Sequence, residues 1–380
     1  MKHTFHFAAS LAILGAALLT GACSQESVPQ PAAATPRDPI ADLVREFHDN
    51  VHDGTRPTSA GVRITGITTR TYHIPDSLLS ATRADAIPDT YDIHTVSLDF
   101  GDTDGFAILS DTPGIDQVFY YTESGSIADT AYITPLKYFV EATPQIAANL
   151  LVNGRPQDTA ATRANVTVKP LVRFEWGQYS PFNDYGLYCT CSKCSERGNH
   201  APIGCVTVAV GQVIATHKKF TGTFYGTRDI DFDKLPNTAN EFTSAQRLAI
   251  GHFMQEIALN CQVKFGCDGS GTSVAAAVNY LRDLGYKVDQ REEALDKNRC
   301  LSCLQEGLPL LIAGNNGDVG HMWILDGVKY INNSFSYHMN WGWGRDSNGW
   351  ATEYYYCDLP QYAFESYSKG LINVYFGSLE

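Results

Sequence analysis

The stretch GCVTVAVGQVIATH, residues 204–217, constrains the fold more than any other. Val206, Val210, Val213, Ile214 and His217 recur at i, i+4, i+7, i+8 and i+11, the stripe of a helix with one buried face. Valine and isoleucine suit a strand equally well, so propensity leaves the choice open. Gly204 supplies a tight turn at the head and places Cys205 in the first helical turn. Unpaired backbone N–H groups there favour a thiolate and can later hold an oxyanion. Cysteine is also among the most buried residue types, so a packed, inert sulfur is the competing reading. A base decides between them.

Eleven histidines are available. His217 lies on the same helix, about 18 Å from Cys205 at 1.5 Å per residue, beyond hydrogen-bond reach. His3 and His6 belong to the leader, and His200 has no evident strand or helix to hold it. His321 is better placed. In VGHMWILDGV it opens a short apolar strand after Gly320, and the strand ends in an Asp326–Gly327 turn. Further on, FSYHMNWGWG gives a second strand carrying Asn340. An imidazole acting as base needs an acceptor on its far nitrogen, and an asparagine carbonyl supplies one. Trp341 and Trp343 would shield that bond from water. His338, with the same side-chain parity as Asn340, is the weaker competing base.

Four stretches now stand in order: WGQYSPFN (176–183), GCVTVAVGQVIATH, GHMWILDG (320–327) and YHMNWGWG (337–344). Together they resemble the streptopain family of bacterial cysteine peptidases. The stretch GFAILSDTPGIDQVFYYTESGSI also resembles the propeptide that keeps such enzymes latent. The resemblance implies an α+β fold, a papain-like peptidase domain preceded by a small α+β prodomain. It implies Cys205 as nucleophile, His321 as general base and acid, and Asn340 as the orienter of His321. The Cys205 N–H would form part of the oxyanion hole, with Gln178 a candidate side-chain contributor. It implies protein or peptide substrates and the chain's own prodomain as inhibitor, with no cofactor and no resident metal. Two other readings stay open: a peptidase-like binding or adhesion module without turnover, and a transpeptidase or amidase in which an amine resolves the thioester.

The remainder of the chain fits that frame. Residues 1–22 have the layout of a secretory signal peptide, with a basic start, the apolar core Ala8–Leu19 and a small-residue exit. LLTGAC resembles a bacterial lipobox, although Thr20 stands where an aliphatic residue is usual. Cys23 would then carry the lipid and anchor residues 23–40, a proline-rich polar tether, to a membrane. A cell-envelope lipoprotein or a secreted protein is expected. Residues 41–163 read as the prodomain, with helices over IADLVREFHDNV and LKYFVEATPQIAANLLVNG and four short strands between them. Pro144 is expected to break or kink the second helix. The small polar segment NGRPQDTAATRANVTV follows, with an activation cleavage site near Arg163. Residues 164–380 form the peptidase domain. A net charge of −13, without any basic cluster, excludes a nucleic-acid partner.

Ten cysteines complete the reading. With Cys23 removed the number is odd, which permits a free Cys205 and up to four disulfides among Cys189, Cys191, Cys194, Cys261, Cys267, Cys300, Cys303 and Cys357. Their pairing does not follow from sequence. Cys189, Cys191, Cys194 and His200 suit zinc, yet only Cys191–Cys194 has the usual spacing, so disulfides from the insert CTCSKCSERGNH to Cys261, Cys267, Cys300, Cys303 or Cys357 are favoured. That insert precedes Cys205 and is expected to shape the substrate cleft.

Overall fold

Asp38 caps the first helix by accepting from the Ile40 and Ala41 N–H groups at 3.1 and 3.3 Å, and Pro39 follows at the position where its missing donor costs nothing. This helix, α1 (Pro39–Val51), buries Ala41, Val44, His48 and Val51. The structure is a computed structural model. It describes residues 38–52, 61–79, 87–115, 117–154, 165–223, 227, 230–291, 296–315, 320–331, 334–352 and 372–376. The expected leader, Cys23, most of the tether, Arg163 and Cys357 lie outside them.

After α1 come β1 (Arg63–His73), the short α2 (Asp76–Leu79), β2 (Thr90–Asp99), β3 (Asp104–Ser110) and β4 (Gln117–Thr122). A 3₁₀ turn (Ile127–Ala131) leads into α3 (Thr134–Asn153). The second half contains β5 (Val166–Val168), α4 (Ser192–Ser195), α5 (Cys205–His217), α6 (Ser244–Asn260), α7 (Val274–Asp283), β6 (Val288–Arg291) and α8 (Lys297–Gln305). It closes with β7 (Leu310–Asn315), β8 (Gly320–Ile331), β9 (Ser334–Asn340), β10 (Gly349–Thr352) and β11 (Ile372–Phe376).

All strands join one antiparallel sheet in the order β1-β2-β3-β4-β10-β9-β8-β7-β11-β6, with β5 on β8. The two halves of the chain therefore meet edge to edge, where Thr122, Tyr121 and Tyr120 of β4 pair with Gly349, Trp350 and Ala351 of β10. Strand alternation then assigns the layers. Phe106 and Ile108 of β3, with Leu310, Ile312, Trp323 and Leu325 of β7 and β8, face a core covered by α3 and α8. On the other face, Ala107 and Leu109 pack with α1, while Leu311, Ala313, Met322 and Ile324 pack with α5, α6 and α7. The result is an α+β sheet with helices on both faces, and the core under α3 draws on both halves.

Two local expectations are corrected. Pro144 sits inside α3 and does not end it. Phe139, Ala142, Ile146, Ala147 and Leu150 bury one face of that helix, and the Pro144 carbonyl accepts from the Tyr91 hydroxyl at 2.6 Å; this packing outweighs one missing backbone donor. Asp326–Gly327 is not a turn either. Strand β8 runs through it with a register shift, and Gly327 is required by close packing, because a Cβ there would lie 3.0 Å from His338 Cβ and 3.2 Å from the Val168 carbonyl.

The β4–β10 seam is equally tight. A Cβ at Gly349 would lie 2.4 Å from the Tyr121 carbonyl and 2.9 Å from Thr122 Cβ. Gly349→Val must force the strands apart, at a cost of about 1–3 kcal/mol typical of overpacking. Calorimetry of the full chain should show a melting temperature lowered by several degrees; an unchanged melt would mean that the seam adds nothing to stability.

Candidate active site

Gly204 ends the loop before α5 with φ +95°, and a Cβ there would lie 2.8 Å from the Ser270 carbonyl. Conformation and space both demand glycine. Cys205 follows as the first residue of α5, half-buried and free of any disulfide. Burial pushes its thiol pKa up. The charge and hydrogen bond of His321 pull it down, as do the N–H groups of Met322 and Val206, and the net position is below the ordinary thiol value. The other free thiols move oppositely. Burial pushes Cys261 up to about 12, Cys300 well above its usual value, and Cys303 upward too.

His321 sits near the start of β8, buried, with its Nε2 2.9 Å from the Trp341 carbonyl. That bond makes Nε2 the donor and leaves Nδ1 for the sulfur. The rings of Trp323 and Trp343 lie nearly parallel to the imidazole, at 6.1 and 6.3 Å between centroids. Trp343 thus stands where shielding was expected. The Trp341 ring does not: it is wholly buried, packs on Trp323 and donates through Nε1 to the Tyr120 hydroxyl and the Ser347 carbonyl.

Asn340 is likewise not where the sequence reading put it. Its side chain makes no hydrogen bond to His321. Instead Nδ2 donates to the Phe174 carbonyl at 2.8 Å and to Gln212 Oε1 at 3.3 Å, while Oδ1 accepts from Gln212 Nε2 and from the Gly342 N–H. The physical reason is direction. Asn340 turns toward α5, and the chain then bends through Gly342 at φ +73°, which presents the Trp341 carbonyl to the imidazole. Asn340 is linked to the His321 contact only through this turn.

Gln178 is buried and lines the same cavity as Cys205, His321 and Trp343. The cavity is about 670 Å³, and a second of about 360 Å³ meets Cys205 and His321 from the side of Ser270–Val274. Ala131, Tyr132 and Thr134, from the first half of the chain, form a wall of the larger one. Tyr132 sets its ring edge-on to Trp343 at 5.5 Å, and Asp129 accepts from the Ser347 hydroxyl at 2.6 Å. The other histidines lie elsewhere: His338 is bound to Asp326 at 2.7 Å, His200 contacts the Gly186 carbonyl at 3.3 Å, and His217 ends α5. Where two cavities meet, a thiol beside an imidazole can attack an acyl carbon while the imidazole passes a proton to the leaving group.

A model of the Peptidase C10 family matches residues 176–355. That stretch, just under half of the chain, is similar to the Peptidase C10 family. The stretch holds Cys205, His321, Asn340, Gln178 and both tryptophans. Thiol protease/hemagglutinin PrtT of Porphyromonas gingivalis is 28% identical over 205 residues, 46% of this chain and 22% of that protein, so the chain spans about a fifth of that relative. Streptopain of Streptococcus pyogenes is 24% identical over 290 residues, 65% of this chain and 71% of that one. A solved fragment of Prevotella intermedia prointerpain A superposes with a TM-score of 0.55 at 20% identity, covering 74% of this chain and 94% of the fragment. The chain shares the fold of that fragment.

Three features of the site escaped the sequence reading. Gln212 lies seven residues after Cys205, on the same helical face, and is a polar residue inside an apolar stripe. Trp323 is two positions after His321 on β8, the spacing of strand neighbours on one face. Asn348 accepts from the Trp341 N–H at 2.9 Å and helps fix the turn. The insert forms two disulfides: Cys191–Cys267 reaches a distant cysteine as expected, but Cys189–Cys194 closes within the insert, because the turn into α4 brings these two cysteines together. Cys261, Cys300 and Cys303 are unpaired thiols, so the described residues do not contain the four disulfides that parity permits. Lys193 and Arg197 of the insert line the larger cavity.

The lowered Cys205 pKa keeps thiolate present at pH values where ordinary thiols are protonated. Iodoacetamide at about pH 6 should therefore alkylate Cys205 well before Cys261, Cys300 or Cys303, and His321→Ala should abolish the preference. Peptide mapping checks this; equal labelling of all four would contradict it. Asn340→Ala should remove about 1–3 kcal/mol by leaving Gln212 unsatisfied, and its effect should be non-additive with Gln212→Ala in a double-mutant cycle. Additive losses would separate the two amides.

Proposed function

We propose that the chain is a latent cysteine endopeptidase in which Cys205 is the nucleophile and His321 the general base and acid. The observation that carries this reading is the Cys205–His321 contact at the head of α5, with the thiol pKa lowered, where two cavities meet. The thiolate attacks the peptide carbonyl carbon, and negative charge builds on its oxygen. The Cys205 N–H and the Gln178 side chain are proposed to stabilise that oxygen. His321 gives its proton to the departing amine, leaving a thioester on Cys205. Water, deprotonated by His321, then releases the acid and restores the thiol. The Trp341 carbonyl holds the imidazole in the tautomer this needs, and Trp343 keeps water from the bond.

Latency is supported by Ala131, Tyr132 and Thr134 in the cavity wall, where an extended substrate would have to lie. The proposed division is a signal peptide at 1–22, a tether at 23–40 lipidated at Cys23, a prodomain at 41–163 and a peptidase domain from 164. We place activation near Arg163 and the protein in the cell envelope or secreted. Among the described residues no helix is long and apolar enough to cross a membrane.

Purified full-length protein should convert to a stable fragment beginning between Ala164 and Lys169 as peptidase activity rises, and Cys205→Ala should remain intact. His321→Ala should lower kcat/KM by about 10²–10⁴-fold, the usual worth of a general base. Full activity of an uncleaved Arg163→Ala protein would refute activation at that site, and activity retained by Cys205→Ala would refute the mechanism.

A further inference from the structure

The two disulfides of the insert are not independent of one another. Cys189 Sγ lies 3.4 Å from Cys191 Sγ and 3.6 Å from Cys267 Sγ, both contacts running between the two pairs. All four sulfurs lie within 4.8 Å of one another. Two disulfides need closeness only within each pair, so gathering four sulfurs is an additional property of the fold. About 3.8 Å separates the sulfurs of a tetrahedral four-thiolate zinc centre with Zn–S bonds of 2.3 Å. Three of the cysteines come from one short segment, Cys191 and Cys194 bracketing the start of α4, and the fourth arrives from a loop 76 residues from Cys191. Cys194 is buried and the other three are half-buried, which suits a structural ion closed to water.

We propose that Cys189, Cys191, Cys194 and Cys267 form a soft-metal site, holding one zinc ion as four thiolates when reduced and closing into two disulfides when oxidised. Each disulfide takes up two electrons and two protons to give two thiols: a thiol reductant supplies both as it becomes a disulfide, while a phosphine supplies the electrons and water the protons as the phosphine becomes its oxide. Zinc then displaces four protons, and the centre carries a net charge of −2. Lys193 and Arg197, on either side of Cys194, supply nearby positive charge; Lys193 Nζ also pairs with Asp268 at 2.5 Å. The soft, all-sulfur donor set selects zinc over calcium or magnesium.

The site also borders the cleft. Asp268, Gly269 and Ser270 follow Cys267 directly, and Ser270 abuts Gly204 at the head of α5. Both the zinc-bound and the disulfide states tie this loop to the insert, whereas the reduced, metal-free state does not. The metal proposal itself does not rest on the peptidase reading.

The test uses the full chain carrying Cys205→Ala, which removes the one thiol able to bind zinc together with His321. The protein is reduced with a phosphine under nitrogen, given zinc chloride, desalted, and measured by elemental analysis and native mass spectrometry. One zinc per chain is expected, with four protons released. The ion should be lost in an added Cys267→Ser and retained in an added Cys300→Ser/Cys303→Ser. Because Cys267→Ser can perturb folding, cobalt(II) replaces zinc in the protein with its cluster intact. A tetrahedral thiolate spectrum with sulfur-to-cobalt charge transfer is expected there. No metal uptake, uptake unaffected by Cys267→Ser, or cobalt without thiolate bands would each overturn the proposal.

Discussion

Two buried amides hold the two halves of the site in register. Gln212 on α5 and Asn340 at the end of β9 exchange hydrogen bonds at 3.3 Å in both directions, and each has a further backbone partner, the Trp176 N–H for Gln212 and the Phe174 carbonyl for Asn340. Leaving either amide unpaired in this interior is costly, so the helix cannot slide along the strand without breaking the pair. Cys205 lies two helical turns from Gln212, and the Trp341 carbonyl lies one residue from Asn340. The Cys205 thiol and the carbonyl that accepts from His321 are thus referred to one fixed point. The site depends on a polar contact that touches neither sulfur nor imidazole.

The sequence made the Cys205–His321 pair legible because each partner announces itself locally. Cys205 follows a glycine at the start of an apolar stripe, and His321 follows a glycine at the start of an apolar strand. The third participant was misread for a physical reason. Asn340 and the Trp341 carbonyl are adjacent acceptors, and only the direction of the chain at Gly342 decides which one meets the imidazole. Helical spacing located α1 and α3, and alternation located β1 to β4. Pro144 was given too much weight, since a helix with one face buried tolerates the loss of a single bond. The Asp326–Gly327 pair was read as a turn because turn chemistry and close packing ask for the same small residue.

Longer-range features left no such trace. Joining β4 to β10 pairs residues more than two hundred positions apart, and nothing in QVFYYT or GWAT specifies the partner. The shared core is equally hidden. Phe106 and Tyr120 pack in one cluster with Trp323, Tyr337 and Trp341, so the two halves read as separate domains by composition and as one body by contact. The same holds for the cysteines, whose number was plain and whose gathering depended on two loops meeting.

The continuous sheet changes what separation of the two halves would mean. While β4 is in place, β10 is an interior strand, its backbone groups paired with β4 on one side and β9 on the other. Taking β4 away turns Gly349–Ala351 into a sheet edge. It also uncovers Trp350, which packs with the α1 core, and the aromatic side chains under α3. Unpaired strand edges beside bare apolar surface recruit other extended chains. A freed second half would thus be a stickier molecule than its parent, and the first half acts as its solubilising partner as long as the two remain together.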